Sequence, residues 1–118
     1  MTIKIVVKKQ YQVGGHVYTI ALDPDLEKQD DLGATDHTGQ RIYINPTRPE
    51  SQMTEALIHE LIHVVNVVFT QHELREPHVG GLAQGLLQLF IQHEIKLDWS
   101  DIPYRSNALL PPYIGGNE

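Results

Sequence analysis

Residues 59 to 63 read His-Glu-Leu-Ile-His, an H-E-x-x-H pentad set in a long apolar run. On a helix, positions four apart stand one turn apart on one face, so His59 and His63 can offer two imidazoles to a single metal ion, with Glu60 beside them. A bound zinc ion lowers the pKa of its water toward neutrality, and an adjacent carboxylate can take the proton; this is the core of zinc-dependent peptide hydrolysis. Glu60 is therefore the candidate catalytic residue, and one catalytic Zn2+ the candidate cofactor. The surround suits a buried helix: Ala56, Leu57 and Ile58 precede the pentad, Leu61 and Ile62 lie inside it, Val64 and Val65 follow, and no proline occurs from Met53 to Glu76. Two satisfied core histidines are the plainer reading. Burying two imidazoles and a carboxylate on an apolar helix is costly without partners, however, and a metal ion is one partner they can share.

A catalytic zinc usually takes three protein ligands and keeps a fourth position for water. A third histidine six residues beyond the second is excluded, because that position is Phe69. Downstream candidates are His72, Glu73, Glu76 and His78, with His93 and Glu94 a helix length further on. A second helix folding back antiparallel to the first would bring its N-terminal residues toward the motif helix, which favours the 72–78 group.

The elements that must position these residues are legible in outline. Ile3, Ile5 and Val7 alternate with Lys4, Val6 and Lys8, and after Gly14-Gly15 the segment His16 to Leu22 is rich in β-branched and aromatic residues; together they read as a hairpin. Asp23 to Asp31, with Pro24 and several acidic residues, reads as a solvated loop or short helical turn. Gly33 to Asp36 and Arg41 to Asn45 read as two further strands, giving a sheet of three or four strands, mostly antiparallel or mixed, ahead of the motif helix. Thr47-Arg48-Pro49-Glu50 fits a capping box, with Ser51 as a competing N-cap, and starts that helix between Arg48 and Gln52. Pro77 marks a break before a second helix whose Val79, Leu82, Ala83, Leu86, Leu87 and Phe90 form one amphipathic stripe. Gly80, Gly81 and Gly85 weaken that helix, which close packing on the motif helix would explain. The expected architecture is α+β: one domain over residues 1–98, followed by a Pro/Gly-rich tail over 99–118.

The strand Ile42-Tyr43-Ile44, the helix Thr54-Glu-Ala-Leu-Ile-His-Glu-Leu-Ile-His63 and the spacing of Glu76, Val79, Leu82-Ala83 and Leu86-Leu87 together resemble the ImmA/IrrE-type zincins and related small phage-encoded proteins. The resemblance runs from about residue 33 to 92, and the pentad is its specific part. It implies a minimal zincin core, Glu76 as third zinc ligand, a metallopeptidase acting on a protein or peptide substrate, and a phage or mobile-element setting. It also implies that the strand of Tyr43 borders the cleft, where Tyr43 would meet the peptide or the oxyanion; packing is the plainer role for a strand tyrosine. Asp36 or His37 would be placed to hold an imidazole from behind. Trp99 reads as a core or docking residue.

Composition narrows the function further. A net charge of -6, with no basic cluster beyond Lys8-Lys9, argues against a nucleic-acid footprint. The absence of cysteine rules out disulfides and a thiolate zinc site. The apolar run at 56–69 is too short and too polar to span a bilayer, and no signal-peptide pattern stands at Met1 to Lys9, so a cytoplasmic protein without membrane partners is expected. No oligomeric state follows from the sequence. The rival to an enzyme is a non-catalytic interaction module that keeps the zincin fold; plain helical packing without metal is the third reading.

Overall fold

The structure, a computed structural model, describes residues 1–105 of the 118. Along the chain run β1 (Ile3–Val6), β2 (Gln10–Val13), β3 (His16–Leu22), a 3-10 helix (Pro24–Gln29), β4 (Gly33–Asp36), β5 (Arg41–Ile44), α1 (Glu50–Phe69), α2 (Glu76–Gln92) and β6 (Ile95–Asp98). The architecture is α+β. Its main sheet is mixed, in the order β2-β3-β5-β4, with a parallel β3/β5 centre flanked by two antiparallel pairs.

Alternation along the central strands creates the core. Ile20 and Leu22 on β3 stand beside Ile42 and Ile44 on β5 and project onto one face, where Met53, Ala56, Leu57 and Val64 of α1 cover them. The helical positions 53, 56, 57, 60 and 64 form one stripe, so Glu60 is carried onto the sheet with its apolar neighbours. On the opposite face Tyr43 packs with Ala34 and Leu26, leaving β5 buried on both sides.

Several expectations change. The hairpin is β2-β3, turning at Gly14-Gly15, whereas β1, the strand expected from its alternation, pairs in parallel with β6, with Ile3 opposite Ile95, a pairing with no local sequence signal. The capping box does not form. Pro49 is the N-cap of α1 without a side-chain bond, because the Thr47 hydroxyl donates instead to Asn45 and Glu27. The α2 stripe divides: Val79 and Ala83 are fully buried, Leu87 and Phe90 half-buried, and Leu82 and Leu86 exposed, since α2 is covered on one side only. A methyl group at Gly80, Gly81 or Gly85 would meet no atom within 4 Å, so close packing on α1 does not account for these glycines.

Packing also continues past residue 98. Ile102 is a core residue, Leu22 donates its N–H to the Pro103 carbonyl, and the Arg105 guanidinium meets Asp23 at 3.1 Å while lying 4.8 Å from the centre of the Tyr43 ring. The first seven residues read as tail are thus docked on the domain. The rest of that stretch, 106–118, lies outside the described residues. No helix among the described residues is long and apolar enough to cross a membrane.

Candidate metal centre

The cluster is built by two antiparallel helices. Glu76, in the first turn of α2, reaches back to the middle of α1, while Glu50, Ser51 and Thr54 at the start of α1 share a cavity with Leu87 and Ile91 near the end of α2. His59 and His63 occupy the α1 face turned toward α2. Their Nε2 atoms stand 3.1 Å apart, Glu76 Oε1 lies 2.7 Å from His59 Nε2, and Glu76 Oε2 lies 2.9 Å from His63 Nε2. Among the described residues this is the group of His, Asp and Glu whose donor atoms converge, all within 4.8 Å of one another.

Such a donor set fits a divalent cation. Zinc–ligand bonds of about 2.0–2.2 Å in tetrahedral geometry place neighbouring donors roughly 3.3 Å apart, and the separations of 3.1, 2.7 and 2.9 Å are shorter than that, so the side chains would spread slightly to admit an ion. Both imidazoles are largely buried and the carboxylate is half exposed, so one side of the cluster faces solvent.

The position of Glu76 depends on the turn between the helices. Gln71 and His72 adopt φ of 52° and 66°, a left-handed pair without glycine. Asn66, buried in the apolar run, bridges this turn: its Nδ2 donates to the Leu74 carbonyl at 2.9 Å, and its Oδ1 accepts the Leu74 N–H at 3.0 Å and the Thr70 hydroxyl. Neither the turn nor the role of Asn66 was legible from spacing, although a lone asparagine amid Val64, Val65, Val67 and Val68 is the signal that could have drawn attention.

Glu60 faces the sheet. It is 1 % exposed, and its Oε1 accepts the Thr35 hydroxyl at 2.6 Å. Burial pushes its carboxyl up from 4.5 to about 8; the Thr35 hydrogen bond pulls the other way, and the negative charges of Glu76 and Asp31 push it further up. A cavity of about 290 Å³ opens here, lined by Asp31, Gly33, Glu55, His59, Glu60 and Gly80. The cavity of about 350 Å³ at the far end of the helices contains none of the cluster residues.

The structure therefore brings together His59, His63 and Glu76, with Glu60 against the adjoining strand. The competing ligand candidates stand elsewhere: His72 and Glu73 are exposed in the turn, and His78 Nδ1 accepts the Arg75 N–H at 3.4 Å. Tyr43 has the packing role that was the plainer reading, and the expectation that its strand borders the cleft is corrected: β5 is paired on both edges and buried on both faces, and the edge strands of this sheet are β2 and β4. Asp36 accepts the Gly39 N–H within its own turn, and His37 meets the Tyr18 hydroxyl at 3.1 Å. Trp99 packs on the core cluster. Thr35 and Gly33, which touch or flank Glu60, carry no motif that singles them out.

No protein-family model matches the chain, and no curated protein or solved structure matches it.

Proposed function

We propose that this protein is a minimal zincin, a zinc-dependent peptidase that hydrolyses a peptide bond in a protein segment presented as an extended strand. The observation that carries the reading is the convergence of His59, His63 and Glu76 on one point, two helical turns of α1 and the first turn of α2 supplying a two-histidine, one-carboxylate donor set. A zinc ion held there would polarise the scissile carbonyl and acidify water. Glu60, one residue from His59 and lining the same cavity, takes the proton of the attacking water and passes it to the leaving amine nitrogen as the C–N bond breaks. The open edge of β4 receives the substrate strand. Asn45 donates its N–H to the Leu32 carbonyl in line with the Gly33/Ile44 register, so by alternation the N–H and C=O groups of Gly33 and Thr35 point away from β5, toward an edge on which no strand pairs among the described residues and to which a strand could add.

One observation favours the non-catalytic alternative: the Glu60 carboxyl is buried, hydrogen-bonded and raised to about 8, which suits a neutral structural group. Two measurements separate the readings. Elemental analysis of wild type, His59→Ala and Glu76→Ala should find about one zinc per chain in the first and none in the others. Glu60→Gln should retain zinc and lose hydrolysis of casein. Zinc-free wild type after reconstitution would exclude the hydrolase, and zinc-loaded protein indifferent to Glu60→Gln would leave an interaction module.

A further inference from the structure

We propose that Thr35 is the positioning residue for Glu60, holding the base with its hydroxyl while its backbone receives the substrate strand; this rests on the peptidase reading above. Three observations meet at β4. The Thr35 hydroxyl donates to Glu60 Oε1 at 2.6 Å, a short hydrogen bond between two side chains on facing elements. Two residues earlier on the same face, Gly33 leaves space for the rest of the carboxylate: a Cβ there would stand 3.1 Å from Glu60 Cγ and 3.4 Å from Oε2. The backbone groups of these same two residues point to the open edge of the sheet.

One short strand therefore fixes two things at once. The side chains at 33 and 35 set where the Glu60 carboxylate sits, and the peptide groups at 33 and 35 set where an added strand would run. The base is referenced directly to the strand that carries the scissile bond, not only to the helix from which it projects. Without the hydroxyl, Glu60 would keep its helix and its burial and lose the bond that fixes its oxygen.

Thr35→Val keeps the β-branched shape and the strand edge and removes only the donor, Thr35→Ala removes donor and bulk, and Thr35→Ser keeps the donor. With zinc-loaded full-length protein and both casein and a fluorogenic peptide mixture as probes, Val and Ala should lower kcat by about 10- to 100-fold with KM within about twofold, and Ser should restore most of kcat. Zinc content should be equal in all four proteins. In metal-free protein labelled at the glutamate carboxyl carbon, the Glu60 NMR signal, assigned by its loss in Glu60→Gln, should shift in Thr35→Val and return in Thr35→Ser. Unchanged kcat in Val and Ala overturns the proposal, as does a rise in KM alone, which would make Thr35 a substrate contact. Hydrolysis surviving in Glu60→Gln, or absent from wild type, sinks the peptidase reading and the catalytic role together, while the NMR arm still decides whether the hydroxyl holds the carboxyl.

Discussion

Asn66 and Leu74 are joined by two hydrogen bonds, the Asn66 amide donating to the Leu74 carbonyl at 2.9 Å and its oxygen accepting the Leu74 N–H at 3.0 Å. The amide acts as a staple across the turn, and the residue it fixes lies two positions before Glu76. A side chain buried in an apolar helix thus controls the distance between a carboxylate on one helix and two imidazoles on the other.

Asn66→Leu would remove the staple and leave the Leu74 peptide without these partners. The expected loss is about 1–3 kcal/mol in urea denaturation, with zinc affinity weakened because Glu76 is less well held. Zinc affinity equal to wild type in a competition assay would show that α2 packing alone sets Glu76.

The Glu60 carboxyl gives the metal-free protein a distinctive pH dependence. Its pKa is raised in the folded state, from 4.5 to about 8, so the fold binds the proton more tightly than the unfolded chain does. Its contribution is fully present below about pH 4.5 and declines as pH rises to about 8, a change on the order of a few kcal/mol. Subtracting the urea stability of Glu60→Gln from that of wild type at each pH isolates this slope from the histidines. A flat difference between pH 5 and 8 would contradict it.

Arg105 and Asp23 form a buried pair, with side-chain exposures of 8 % and 3 %. Asp23→Ala removes a buried partner from the guanidinium and should cost more than the loss of an exposed ion pair of similar length, above about 1 kcal/mol. Chemical denaturation reads this directly, and a loss below about 1 kcal/mol would mean that solvent already reaches the pair.

Gly81 and Gly85 are exposed on α2, and a methyl at either meets nothing within 4 Å. Alanine at each should stabilise the protein by about 0.5–1 kcal/mol through helix propensity alone, visible as a higher Tm. A destabilised Gly81→Ala or Gly85→Ala would point to a backbone requirement on that face.

What the sequence could reveal depended on how locally each feature is encoded. The i, i+4 spacing of His59 and His63 is a property of any helix, and Glu76 begins the next helix after a proline-marked break, so the cluster residues were accessible. The mixed sheet was readable as strands, because Ile20, Leu22, Ile42 and Ile44 alternate. Pairing was another matter. The strand of Tyr43 was expected at the cleft and lies inside the sheet because β4 folds back over it, an outcome of turn geometry at Thr38 to Gln40 with no hydrophobic signature. Thr47 looked like a cap and was drawn away by Glu27, a partner twenty residues earlier in the chain. The Thr35–Glu60 bond spans 25 residues and joins two side chains that no pattern connects.

The parallel pairing of β1 with β6 bears on the order of assembly. Its contacts join Ile3 to Ile95 and Val6 to Asp98, so almost the whole described chain must emerge before this ribbon can form. Local helix turns and the β2-β3 hairpin can close early, whereas a clasp between such distant segments must meet the loop-closure entropy in one late step. During synthesis the apolar β1, with Ile3, Ile5 and Val6, waits unpaired. That interval leaves an unpaired strand edge, the kind of surface on which another chain can add.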